Sequence, residues 1–147
     1  SDIGLPVTSA LEDKGETKNY GDSQYVDLNT DSEAFFAEAK ISRQKTRDEA
    51  VQTLKNLIES DAITPEQRTE LALKTTTMAE AIEKEGKIEN LIKSKGFQEC
   101  MVYYDAERVD VIVKTNGLMT NEVAQMKDII CKEVSVPDEN IAIIEVN

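Results

Sequence analysis

The sequence predicts an α+β domain in which a helical hairpin leads into a two-layer unit ordered helix, strand, strand, helix, strand, with a three-stranded sheet. Three observations carry this prediction. A strongly signalled helix opens at Thr64-Pro65-Glu66-Gln67 and stops at Lys95-Gly96. Two β-rich runs follow, separated only by Asp105-Ala-Glu-Arg108. An apolar helical stripe over Thr120 to Val134 then precedes a last β-rich run that reaches almost to the C-terminus.

Residues 1–31 contain seven acids and two bases, with Gly, Pro, Ser and Thr interleaved and no sustained periodicity. Such a stretch buries too little apolar surface to offset about 1–2 kcal/mol of backbone entropy per residue, so it is expected to be a disordered acidic tether. Order is expected from Thr30-Asp-Ser-Glu33, a capping box in which the first hydroxyl and the Glu carboxylate satisfy each other's backbone N–H groups. The helix it opens runs to about Ser60. Its second half carries Ala50, Val51, Leu54, Leu57 and Ile58, a stripe expected to be buried. Its first half offers Phe35, Phe36 and Ile41 among Arg43 and Arg47, and sparse apolar residues beside clustered bases suggest a half-helix that projects from the core. Residues 32–63 are therefore read as a projecting helix and turn, with 64–147 as the α+β domain. Phe35, Phe36, Ile41, Arg43 and Arg47 become a candidate partner interface; a plainly solvated helix with Glu/Arg pairs is the competing reading.

In the second helix Thr64 stands at the N-cap, Pro65 at the first helical position and Gln67 three residues after the cap. Leu71, Met78, Ile82, Ile88, Leu91 and Ile92 supply its apolar positions. Gly86, costing roughly 1 kcal/mol relative to Ala, predicts a bend near Glu85-Gly86. Phe97–Tyr104 and Val109–Lys114 are rich in aromatic and β-branched residues and read as a strand hairpin. Cys100, Val102 and Tyr104 share one face with Val109, Val111 and Val113, and this face should be buried. The opposite face carries Met101, Tyr103 and Ile112, which an isolated subunit has little reason to expose together; these three form a candidate assembly surface. Val123, Met126, Ile130 and Val134 make the stripe of the last helix, and Pro137 bars its continuation before Ile141–Val146 returns as a strand.

Composition excludes more than it assigns. The 29 acidic against 17 basic residues oppose nucleic-acid binding, which is driven by Lys and Arg neutralising phosphates, and equally oppose adhesion to an anionic membrane. No run of 18 apolar residues spans a bilayer, although the opening Ser1-Asp2 without Met leads us to expect an N-terminal anchor ahead of it. With no His, two Cys and no phosphate-binding loop, no metal, cofactor or catalytic residue is expected. Adjacent carboxylates such as Asp138-Glu139 and Glu83/Glu85 read as solvated charge, since catalytic carboxylates need burial. Cys100 and Cys131 are read two ways: as a disulfide tying the last helix to the sheet, or as two buried free thiols.

The run Ile88–Phe97, the strand pair and Val123–Glu133, taken with Phe35–Arg47 and Asn56–Ser60 upstream, resemble the stage III sporulation protein AH family of endospore-forming Firmicutes over residues 32–146. The resemblance implies a ring-building domain of the kind shared with flagellar and type III secretion basal bodies. It further implies a single-pass protein of the mother-cell membrane whose outer domain lies between mother cell and forespore. There it would pair with stage II sporulation protein Q, self-associate into a ring when tethered, and serve a channel complex without catalysis. The alternative from another class is a soluble ferredoxin-like or KH-like module that binds a small ligand or regulates. The acidity and the missing Gly-x-x-Gly loop stand against RNA, and the lack of convergent polar groups stands against a ligand.

Overall fold

A computed structural model of the chain describes residues 23–26 and 32–147. In chain order these form β1 (Ser23–Val26), α1 (Ser32–Ile58), α2 (Pro65–Lys93), β2 (Cys100–Tyr104), β3 (Val109–Lys114), α3 (Thr120–Glu133), a 3-10 turn (Asp138–Asn140) and β4 (Ile141–Val146). The sheet is ordered β1-β4-β3-β2. β2 and β3 are the antiparallel hairpin, while β4 runs parallel to both β3 and β1.

Local chemistry explains the boundaries. Thr64 Oγ1 accepts from the Gln67 N–H at 3.1 Å, and Gln67 Oε1 accepts from the Thr64 N–H at 2.9 Å, so the expected cap of α2 is a reciprocal box. Arg68 donates to the carbonyls of Ile58 and Ser60, closing the turn by satisfying the end of α1. Asp105 Oδ1 accepts from the N–H groups of Glu107 and Arg108, both at 3.0 Å, which tightens the β2–β3 turn. Gly117, at φ +138°, supplies the backbone that turns β3 toward α3. No break interrupts α2 at Gly86: it is one continuous helix, with buried Glu85 and Ile88 on either side of that residue.

The main core lies between α2 and α3 and one face of the sheet. Ile88 and Ile92 of α2, and Val123, Met126 and Ile130 of α3, cover Cys100, Val102, Val109, Val111, Val113, Ile141 and Ile143. This is the two-layer arrangement and the buried face read from the alternation of the strands. Glu145, fully buried on β4, accepts from the Leu118 N–H at 3.0 Å and ties that strand to the loop before α3.

Three expectations are corrected. Ser23–Val26 falls within the stretch expected to be a disordered tether, yet it forms β1 and extends the three expected strands to four; the rest of 1–31, including Thr30 and Asp31 of the expected capping box, lies outside the described residues. Second, the half of α1 expected to project is the half that packs. Fully buried Phe36, with Phe35 edge-on to it at 5.4 Å and Ala39 beside it, covers Met101, Ile112 and Val146 on the second face of the sheet. Met101 and Ile112 are therefore interior, and Tyr103 is half-buried at the margin; the surface that seemed too apolar to expose is covered by the chain itself. Third, the half of α1 expected to be buried is mostly open: of its five apolar positions only Leu54 is buried, while Val51 and Leu57 are exposed.

Phe36→Ala is expected to cost about 3–5 kcal/mol, because it removes the fully buried aromatic side chain at the centre of the second core. Urea unfolding of the variant checks this, and a loss under 1 kcal/mol would mean that α1 does not hold that face in solution.

Candidate protein-interaction surface

β2 is an edge strand, and an edge leaves alternate backbone groups without ladder partners. Helices α1 and α2 straddle this edge and satisfy it with side chains. Glu89 Oε2 accepts from the Val102 N–H at 2.9 Å, and Glu85 Oε2 accepts from the Tyr104 N–H at 2.7 Å. The match is geometric: residues four apart on a helix and two apart on a strand are both separated by about 6–7 Å. On the other side, Arg43 Nη1 donates to the Val102 carbonyl at 2.8 Å and to Glu89 Oε2 at 2.9 Å. Arg47 pairs with both carboxylate oxygens of Glu85: Nη2 donates to Oε2 at 2.6 Å, and Nη1 stands 2.6 Å from Oε1 as an ion-pair contact in which Oε1 accepts no hydrogen bond.

Glu85 is 1% exposed, so its charge lacks water and depends on Arg47. Such a pair adds little over an apolar substitute, yet losing one partner strands the other. The Arg43 guanidinium also lies 5.7 Å from the centroid of the Tyr103 ring. Burial of Tyr103 pushes its hydroxyl above the ordinary tyrosine value, a shift that Arg43 and Arg47 partly oppose. At the outer end Lys40 reaches Glu99 at 2.9 Å, where both side chains are about a third exposed and the contact is worth little.

Of the five residues proposed from sequence as a partner interface, the structure therefore turns three inward: Phe36 into the second core, Arg43 and Arg47 into the edge clamp. Phe35 is half-buried, and Ile41, 69% exposed, is the one fully presented to solvent. Glu85 and Glu89 were missed, Glu85 having been read as solvated. The available signal was spacing. Phe36, Lys40, Arg43, Arg47, Ala50, Leu54 and Ile58 recur every three or four residues, so the bases continue an apolar stripe and face what that stripe faces. Glu85 likewise stands in line with Ile88 and Ile92 on α2.

Neither carboxylate of the clamp is available as a metal ligand or proton carrier, because Arg43, Arg47 and the β2 amides occupy them. Among the described residues no group of three or more His, Cys, Asp or Glu side chains is placed to hold a metal. Nor are the cysteines paired: Cys100 is buried on β2 and Cys131 points to solvent from α3, which corrects the disulfide reading. Burial, aided by the nearby Glu89 charge, pushes the Cys100 thiol up to about 12. A groove of about 660 Å³ opens between α2 and the hairpin tip, its lining including the apolar Met78 and Ala81, the bases Lys74 and Lys84, and the acids Glu80, Glu83 and Asp105.

The fold defines a class: a mixed α+β domain whose buried polar groups serve its own architecture. The chain belongs to the SpoIIIAH-like protein family, whose model matches residues 6–143. It is 21% identical over 122 residues to stage III sporulation protein AH of Bacillus subtilis (strain 168), an alignment that takes in 83% of this chain and spans 56% of the length of that relative. Its fold matches one chain of the SpoIIQ-SpoIIIAH pore forming complex with a TM-score of 0.65 at 19% identity, covering 76% of this chain and 97% of the other. A lower likeness, TM-score 0.46 at 19% identity over 71% of each chain, is to the type III secretion system protein EscJ of enteropathogenic E. coli.

Glu85→Ala is expected to destabilise the fold by about 3 kcal/mol or more, since it leaves Arg47 and the Tyr104 N–H without their partner in a dry site. Glu85→Gln, which keeps an acceptor for that N–H, should cost less, and chemical unfolding of the two variants orders them. For the thiols, a disulfide-exchange reagent should find one fast site, lost in Cys131→Ser, with Cys100 reacting only on unfolding. Because the folded state raises the Cys100 pKa from 9.0 to about 12, its share of stability is complete below about pH 9 and is lost as the pH climbs toward 12.

Proposed function

We propose that this chain is a non-enzymatic interaction domain of a sporulation channel complex, lying in the space between mother cell and forespore. There it binds a forespore-membrane protein of the stage II sporulation protein Q type and forms a ring when an N-terminal anchor holds copies at the mother-cell membrane. The observation that carries this reading is the family match over residues 6–143, joined to the likeness of fold to a chain of the SpoIIQ-SpoIIIAH pore forming complex. No helix among the described residues is long and apolar enough to cross a membrane, so the anchor in this reading belongs to sequence other than these helices.

The geometry narrows where a partner would dock. Phe36, Arg43 and Arg47 are held inside the domain, and substituting them disturbs the fold before any interface. Phe35 and Ile41 remain accessible in part or in full on α1. Of the other large apolar side chains exposed among the described residues, Val51 and Leu57 lie on α1, Leu73 and Ile82 on α2, and Met119 at the N-cap of α3. The outer surface of the first half of α1, around Ile41, is thus the part of the originally proposed interface that a partner could still reach.

Co-elution of this domain with the extracytoplasmic domain of the cognate Q-type protein tests the reading. Wild type should co-elute, and Ile41→Asp should weaken binding by about tenfold, the scale of a central apolar anchor, while its unfolding midpoint stays within error of wild type. Complete indifference of binding to Ile41→Asp moves the interface off α1, and absence of any complex at tens of micromolar removes the proposed partner.

A further inference from the structure

We infer that the β4 edge of the sheet is a strand-exchange site, which accepts Ser23–Val26 of a neighbouring copy of this chain in place of its own β1. The sheet has two edges, and they are finished in different ways. At β2 the outward groups of Val102 and Tyr104 bond to Glu85, Glu89 and Arg43, side chains anchored in two long helices. With those groups engaged, that edge is closed around Val102 to an incoming strand. At the other end β4 pairs with β3 on one side and, on its outer side, with a four-residue strand from the opposite end of the sequence.

β1 pairs only with the last four of the six residues of β4, Ser23 opposite Ile143 through Val26 opposite Val146. Its backbone contribution is a few parallel ladder hydrogen bonds, each worth about 0.5–1.5 kcal/mol net. Short strands at a sheet margin near a chain terminus belong to the segments that open at lower free energy than core strands. When β1 leaves, β4 presents a parallel row of unpaired groups, a template for strand addition.

The occupant follows from the pairing itself. Ser23–Val26 is the sequence seated on β4, and every other copy carries it with the same register available. Exchange therefore conserves each hydrogen bond and exchanges only which chain supplies it, as in domain swapping. What favours the chain's own strand is the short connection to α1, residues 27–31, which sets an effective concentration on the order of millimolar. Copies crowded on a surface reach comparable local concentrations. Handing β1 onward from each copy to the next links domains in a row, and a reciprocal exchange closes a pair. The inference needs no Q-type partner and stands apart from the reading above.

The register supplies the test. In a Cys131→Ser background, one protein carries Gln24→Cys and another Ile144→Cys, residues opposite each other across the β1–β4 pair. Both are tethered by a terminal His tag to nickel-lipid vesicles and treated with a short bismaleimide. We expect a heterodimer whose yield rises with surface density and exceeds, several-fold, that of a control pairing Ile144→Cys with Lys132→Cys on α3. The double variant Gln24→Cys/Ile144→Cys reports the strand's own seat within one chain. Efficient crosslinking inside that chain with no heterodimer above the control would overturn exchange, and so would failure of the double variant to crosslink in either manner.

Discussion

The rest of this structure depends on the unmet hydrogen bonds of one edge strand. β2 ends the sheet, and half its backbone groups face away from β3. Leaving them unsatisfied beside packed helices costs more than a net hydrogen bond gains, so something polar must be brought to them. Glu85 and Glu89 bring carboxylates from α2, and carboxylates placed out of water require cations. Arg43 and Arg47 bring those from α1. Each step follows from the one before, and together they set the placement of both long helices.

The clamp explains why α1 divides as it does. Its first half must lie against the sheet for Arg43 to reach both the Val102 carbonyl and Glu89, and once there it carries Phe36 over Met101 and Ile112. Its second half runs past the end of the sheet and has only α2 to pack on, so Val51 and Leu57 stay open although their residue types suit a core. Buried ion pairs contribute more to the uniqueness of an arrangement than to its free energy in several known systems. Here the i, i+4 spacing of both Arg and Glu partners makes both ion pairs together in one alignment of α1 on α2, and a slip of either helix by a turn would leave one of the two pairs unmade.

An asymmetry between the edges suits a domain that works in company. Side chains rooted in two helices close the β2 side, whereas a short strand from the sequence start pairs along the β4 side. Assembly in one direction needs one closed and one adjustable edge, because two open edges invite unlimited aggregation.

The sequence by itself determined the local elements and the main core: the Thr64 cap, the hairpin around Asp105, the alternation that buries Val109, Val111 and Val113, and the α3 stripe. These were legible because caps, turns and period-two or period-3.6 patterns act between residues near in sequence. The family, too, was legible in the order of those elements along the chain. Tertiary structure alone decided the fate of Phe36, Arg43, Arg47, Glu85 and the Met101–Ile112 face, all of which appeared to be surface. Their partners lie 38 to 59 residues away in sequence for the charged pairs that join α1 to α2 and β2, and no local pattern reports a contact at that separation. Spacing on the stripe could place Arg43 and Arg47 on the inward face of α1, but which carboxylates and which orphaned backbone of an edge strand meet them there is fixed only by the packed chain.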